Sequence, residues 1–137
     1  MKKIIYFLSA MCLLLLSCAN EKETVTKPLS DGIFSGTFTV KYFGNSSWED
    51  GSGAVTIKLE NGRFYSTANP NGIPAGGSGT FSINGDKITF NDENGWLANF
   101  DWNLILNGEY DFVFDGKRLR IWRETDFGLY VYILEKQ

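Results

Sequence analysis

The chain has 137 residues, of which 13 are basic, 16 are acidic and none is histidine, so its formal net charge is −3. An acidic balance disfavours nucleic acid as a partner, because that binding depends on neutralising phosphates. With no histidine and only two cysteines, the chain lacks the ligands of a soft-metal site and the base of a hydrolytic triad. We therefore expect no metal, no cofactor and no enzyme activity.

The N-terminus has the organisation of a secretory signal. Met1, Lys2 and Lys3 give a positive start, and the mostly apolar residues 4–16 follow. This run is shorter than the roughly 20 apolar residues that a transmembrane helix needs. Residues 1–17 are therefore predicted to be a signal peptide.

The end of this segment resembles the lipobox of bacterial lipoproteins, in which a leucine and a small residue precede a cysteine. Here Leu15, Leu16 and Ser17 precede Cys18. In that family the cysteine becomes the first residue of the mature protein and carries the lipid. The resemblance implies lipid attachment at Cys18 and a location in the bacterial cell envelope, as an outer-membrane lipoprotein that faces the periplasm or the surface. The alternative is an ordinary cleavage site beside an incidental cysteine.

Residues 18–31 are predicted to be a flexible tether, because this segment is polar and has no hydrophobic period. Its early acids, Glu21 and Glu23, resemble the surface-export signals that follow the cysteine in lipoproteins of the Bacteroidetes group. An ordinary solvated linker is the alternative. Residues 32–137 would then form one domain.

From Gly32 onward the apolar residues recur at every second position, which is typical of half-buried β-strands. Phe34, Phe38 and Val40, for example, alternate with polar residues. No stretch combines helix caps with an apolar helical stripe. The predicted strands cover residues 33–43, 53–60, 63–67, 79–83, 87–91, 101–106, 109–114, 117–124 and 128–135.

Tight turns separate several of these strands. The dipeptides that supply the positive φ angles of hairpin turns are Asn61-Gly62, Asn84-Gly85, Asn107-Gly108 and Asp115-Gly116. Counting outward from the first dipeptide places Leu59 opposite Phe64. The same count from the second places Phe81 opposite Ile88.

The stretch from Asp101 to Glu124 predicts three strands joined by two tight turns. Counting outward places Ile105 opposite Tyr110, and Phe112 opposite both Asn103 and Leu119. The predicted inward face therefore consists of Ile105, Tyr110, Phe112, Leu119 and Ile121. On the outer face, Asp111 is predicted to form a surface ion pair with Arg120.

A meander of eight or nine strands with short turns closes most economically as a barrel, because closure removes the exposed edges. We predict an all-β fold, an antiparallel up-and-down barrel, with a two-sheet sandwich as the alternative. The strand count, the meander order and the "ILNGEYDF" segment resemble the lipocalin-like, or calycin-type, domains of small bacterial lipoproteins over residues 32–135. At the position of the G-x-W that opens true lipocalins, the chain has Gly32, Ile33 and Phe34.

The composition includes 11 Phe, 6 Tyr and 4 Trp, enough either to line a cavity or to fill a closed core. We predict a ligand site at the barrel mouth. Its polar contacts and apolar walls would be Asn103, Tyr110, Phe38, Tyr42 and Phe112. Its rim would be formed by residues 68–77 and 91–100. Asn103 is selected because a buried amide without a partner is costly.

Two acidic features near this mouth have simple explanations. Asp101 is predicted to be a strand-end carboxylate that meets water, with a role as an acid or base as the alternative. Residues 91–94 contain several oxygen ligands, but their spacing is not that of a calcium loop. The function that we expect is the binding of a small apolar or amphipathic ligand by a lipid-anchored protein. The alternative is a filled barrel that presents its loops or outer face to a protein or glycan.

Overall fold

The computed structural model describes residues 26–97 and 99–137. The predicted signal peptide, the lipid attachment at Cys18 and most of the predicted tether lie outside the described residues. In the described part, no helix is both long enough and apolar enough to cross a bilayer.

Eight antiparallel strands form the domain, each pairs with the next along the chain, and the last strand pairs with the first to close a barrel. Their bounds are β1 (Gly32–Tyr42), β2 (Gly51–Glu60), β3 (Arg63–Ser66), β4 (Gly77–Asn84), β5 (Lys87–Asp92), β6 (Gly108–Phe114), β7 (Arg118–Glu124) and β8 (Gly128–Lys136). The prediction of an all-β, antiparallel up-and-down barrel is confirmed, and the sandwich is excluded.

Closure depends on the long first strand, which pairs along most of its length with both β2 and β8. Gly36 lies in the middle of β1, where a Cβ atom would overlap the carbonyl oxygen of Ile133 on β8. The missing side chain therefore allows the two strands that close the barrel to approach each other.

Side chains fill the inside of the barrel. On β1 and β8 every second residue points inward, and Phe34, Phe38, Tyr130 and Tyr132 are all fully buried. Aromatic pairs connect the strands across the interior, for example Phe38 with Tyr132, whose ring centroids are 4.6 Å apart. The interior of the barrel is therefore a packed core, as is common in small barrels.

The two ends of the barrel differ. The turn end carries the tight turns after β2, β4 and β6, and residues 26–31 run across it. Leu29 packs there against the core, and the backbone N–H of Lys27 donates to the carbonyl of Phe114 at 2.6 Å. The loop end carries the longer connections, residues 43–50, 67–76 and 93–107, and the turn at residues 125–127.

The strand predicted over residues 101–106 is wrong. A 3-10 helix, Trp102–Leu104, occupies this position, because the carboxylate of Asp101 accepts a hydrogen bond from the backbone N–H of Asn103. Aspartate favours such local bonds over a strand ladder. As a result, Asn107-Gly108 is not a hairpin turn, and β6 pairs with β5 through Tyr110 and Ile88.

The hairpin between β2 and β3 has the predicted register, with Leu59 opposite Phe64. Asn61 and Gly62 have φ angles of 50° and 73°. Positive values at both central residues are what a type I′ turn requires, and this turn keeps the twist of the two strands in phase.

The hairpin between β4 and β5 differs from its prediction by two residues. Phe81 pairs with Phe90 rather than Ile88, because the turn residues are Gly85 and Asp86. Only Gly85 has a positive φ, 62°, which is typical of a turn with glycine first. The asparagine of the dipeptide belongs to the strand.

The hairpin between β6 and β7 is also shifted by two residues. Phe112 pairs with Ile121 rather than Leu119. The cause is Asp115, whose carboxylate accepts hydrogen bonds from the two backbone N–H groups that follow Gly116 and so lengthens the turn. A shift of two keeps each side chain on its predicted face, and the five residues predicted to point inward are all buried.

This shift removes the surface ion pair predicted between Asp111 and Arg120. Trp122 now lies opposite Asp111, and Asp111 contacts Lys87 on the neighbouring strand instead. The guanidinium of Arg120 lies over the Trp122 ring, 4.7 Å from its centroid.

Candidate ligand site at the loop end

A cavity of about 600 Å³ opens at the loop end of the barrel. Pockets of this volume accommodate small organic molecules. The three long connections form its walls, and the packed core of the barrel forms its floor through Leu104 and Ala75. The cavity therefore lies above the barrel and not inside it.

The walls of the cavity are mostly aromatic. Tyr42 at the end of β1, Trp48 in the next loop, and Trp96 and Phe100 in the longest connection all line it. The rings of Trp96 and Phe100 meet edge to face, with centroids 6.0 Å apart. The polar groups in the lining include the carboxylate of Glu49.

The connection between β3 and β4 forms the third wall, residues 70–73 and 75. It crosses the start of β2 at Gly53, where a Cβ atom would overlap the carbonyl oxygen of Ile73. Backbone hydrogen bonds also join it to the longest connection, from Ala75 to Leu104 at 3.0 Å and from Leu106 to Gly76 at 2.8 Å. Two loops that are distant in sequence are therefore held together as one wall.

Asp101 fastens the longest connection, residues 93–107, to the barrel. One carboxylate oxygen accepts from the hydroxyls of Tyr42 and Tyr130, at 2.8 and 2.6 Å. The other accepts from the backbone and side-chain N–H groups of Asn103, at 2.9 and 2.8 Å. The two tyrosine hydroxyls attach Asp101 to β1 and β8, and the two bonds from Asn103 hold the 3-10 helix on the same carboxylate.

These bonds control the ionisation of the groups involved. Burial alone would raise the pKa of Asp101, but the bonds from Tyr130, Asn103 and Tyr42 outweigh burial and hold that pKa below its ordinary value. Burial first, and then the bond to Asp101, raise the pKa values of the Tyr42 and Tyr130 hydroxyls. The carboxylate is therefore ionised and both tyrosines are neutral at neutral pH.

Arg123 on β7 continues this network on the side away from the cavity. Its guanidinium donates to the side-chain oxygen of Asn103 at 3.2 Å and to the backbone carbonyl of Asn107 at 2.7 Å. It also stacks on the Tyr110 ring, 4.4 Å from the centroid. These contacts attach the 3-10 helix and Asn107 to β7.

Asp92 organises the start of the same connection. Its carboxylate accepts from the indole N–H of Trp96 at 2.6 Å, from the backbone N–H of Ser78 at 2.9 Å and from the side chain of Asn94 at 2.6 Å. These bonds fix the Trp96 ring in the cavity wall. Among the described residues, no group of three or more His, Cys, Asp or Glu side chains has an arrangement able to hold a metal ion.

The residues predicted from sequence to contact a ligand are separated in the structure. Tyr42 lines the cavity, and residues of both predicted rim loops do so as well. Phe38, Tyr110 and Phe112 lie in the buried core. Asn103 is not an unpartnered amide on an inner strand face; it lies on the 3-10 helix and is bonded to Asp101 and Arg123.

The sequence places Trp96 and Phe100 only within the predicted rim segment 91–100 and does not identify Trp48. The sequence feature that points to these three residues as cavity walls is their position inside loops rich in Asn, Asp, Ser and Gly. Burial in a core does not explain aromatic side chains in such loops. The sequence predicts that Asp101 meets water, whereas in the structure it accepts from two tyrosine hydroxyls on β1 and β8, which are distant in sequence.

Comparisons with protein families, with curated proteins and with solved structures gave no match for this chain.

Proposed function

We propose that this protein is a lipid-anchored lipoprotein of the bacterial cell envelope that binds a small apolar or amphipathic ligand at the loop end of its barrel. The observation that carries the proposal is the aromatic cavity of about 600 Å³, whose walls belong to three separate connections. Exposing aromatic side chains to water is unfavourable, so a group of them around a concavity favours binding.

The course of the chain supports this arrangement. Residues 26–31 run across the turn end, at the opposite end of the barrel from the cavity. A lipid on Cys18 would therefore be attached to the barrel at its turn end, opposite the cavity. The short polar segment between Cys18 and the barrel would act as the tether.

The binding proposal is tested by calorimetric titration of the purified domain with a panel of neutral, cationic and anionic amphipathic molecules. Trp48→Ala removes one wall of the cavity, and Trp122→Ala removes a tryptophan from the outer face of β7 as the matched control. We expect at least one ligand whose affinity falls about tenfold or more in Trp48→Ala and is unchanged in Trp122→Ala. If no molecule of the panel binds, the proposal is wrong.

The anchor is tested separately by Cys18→Ala, because the resemblance to a lipobox rests on this residue. The variant should be released from the membrane fraction or remain unprocessed, and detergent phase separation measures the change. Ser17→Ala keeps a small residue before the cysteine and is the matched control. Unchanged membrane partition of Cys18→Ala would contradict lipidation.

A second function, the presentation of the loop end to a protein or glycan, is favoured by exposed apolar residues outside the cavity. Phe43, Leu97, Trp102 and Phe127 all lie at this end and are at least 40% exposed. This function predicts that Leu97→Ala impairs binding of the partner and leaves small-ligand affinity intact, because Leu97 is fully exposed and does not line the cavity.

A further inference from the structure

Two of the aromatic walls of the cavity are polarised by carboxylates. The hydroxyl of Tyr42 donates to Asp101 at 2.8 Å, and the indole N–H of Trp96 donates to Asp92 at 2.6 Å. Donation to an anion pushes electron density into the ring, which makes the ring face more negative. Both rings are therefore better partners for a cation than unpolarised rings would be.

The charge of the loop end has the same sign. Its acidic residues are Glu49, Asp50, Asp92, Glu93, Asp101, Glu124 and Asp126, and its basic residues are Lys41 and Arg123. Glu93 is neutralised by Arg63 at 2.7 Å, but Glu49 lines the cavity and forms no ion pair among the described residues. Lys41 is exposed on a strand, and Arg123 stacks on Tyr110 outside the cavity. The charged groups around the cavity are therefore mostly acidic.

From these two observations we infer that the ligand of the loop-end cavity carries an alkylated ammonium group, which contacts the rings of Tyr42 and Trp96 and has Glu49 as its counter-ion. This inference rests on the proposed binding function and specifies its ligand class. A metal ion or bare ammonium would keep its water shell, whereas methylated ammonium groups are weakly hydrated and present an apolar surface that fits aromatic walls.

The same geometry opposes an anionic ligand. A fatty-acid carboxylate in this cavity would face ring faces of negative potential and the carboxylate of Glu49, without an exposed cation in the lining. A neutral ligand would still gain from apolar contact with the rings, but it would gain nothing from the carboxylates behind them. Charge is therefore the property that the experiment has to isolate.

The test compares choline with its neutral tert-butyl analogue, in which carbon replaces the ammonium nitrogen. The two molecules have nearly the same shape, so their apolar contacts with the cavity are nearly equal. A difference in affinity then reports the effect of the charge. Binding is measured at low ionic strength through the NMR signals of the Trp48 and Trp96 indole N–H groups. We expect choline to bind about tenfold more tightly or better, since cation–π contacts and a nearby carboxylate each contribute.

Glu49→Gln provides the second arm. It keeps the size of the side chain and removes its charge, so choline affinity should fall about threefold to tenfold while affinity for the neutral analogue stays constant. Glu60→Gln at the turn end, where Glu60 pairs with Lys58, is the matched control and should change neither affinity.

Equal affinities of choline and its analogue would overturn the inference and leave the cavity as a binding site for neutral ligands. Preferential binding of an anionic molecule from the wider panel would overturn it as well. Absence of binding by every molecule of that panel would instead contradict the proposed function itself, so the two failures are distinguishable.

Discussion

Tyr130 and Tyr132 lie two residues apart on β8, both are fully buried, and their hydroxyls have opposite environments. The hydroxyl of Tyr130 donates to the ionised Asp101, whereas that of Tyr132 has no hydrogen-bond partner among the described residues. We expect Tyr130→Phe to lower the free energy of unfolding by about 1.5–3 kcal/mol and Tyr132→Phe to raise it by about 1 kcal/mol. Urea denaturation measures both values, and equal losses in the two variants would contradict this assignment.

The buried tyrosines also predict a loss of stability at alkaline pH. Burial raises the pKa of Tyr110 to about 12, and the pKa values of Tyr42, Tyr130 and Tyr132 are raised as well. In the unfolded chain tyrosines lose their proton near pH 10, before the folded ones do. Stability should therefore be constant with respect to these groups below about pH 10 and fall above it. The urea midpoint at pH 9 and 11 measures the fall, which Tyr110→Phe should make shallower; an unchanged midpoint in the wild type would contradict it.

For single residues, the sequence predicts which side chains are buried but not which hydrogen-bond partners they have. Period-two alternation is sufficient to place Tyr110, Phe112, Leu119 and Ile121 inside. The bonds of Asp101 to Tyr42 and Tyr130 join residues that are distant in the chain, so that only the closed barrel brings them together.

At the scale of elements, residues 93–107 behave as a strap that is fixed to the barrel by Asp101. The sequence around Leu104 and Leu106 has the alternation of a strand, which is why a strand was predicted there. Local bonding by Asp101 overrides that pattern and produces the 3-10 helix. Both leucines remain buried, because they cover the end of the core.

Asp101→Asn should loosen this strap without unfolding the barrel, since an amide cannot accept from all four donors with a full charge. We expect hydrogen exchange at the backbone N–H of Leu104 and Leu106 to rise about tenfold more than exchange in β1 and β8, where it rises only with the global loss of stability. Asp111→Asn, which removes the outer-face partner of Lys87, is the matched control. Unaltered exchange at both leucines would show that Asp101 does not hold the strap.

At the scale of the whole molecule, the fold follows from the sequence because alternation and turn signals agree. Two hairpins differ from the predicted register by two residues. The predicted burial is still correct there, because a shift of two leaves every side chain on its face. Both predicted rim segments contribute to the cavity, but the side chains of its walls could not be predicted in this way. Its walls come from three loops whose positions depend on long-range bonds such as those from Ala75 to Leu104 and from Leu106 to Gly76.

We propose ligand binding at the loop end of the barrel and lipid anchoring at the turn end. The most direct test is a backbone NMR titration of the domain with the tightest ligand of the panel. We expect shifts confined to residues 43–50, 67–76 and 93–107 and to Tyr42, because these form the cavity. Shifts centred on the turns at residues 61–62, 85–86 and 115–117, or on the outer face of β7 and β8, would contradict the account.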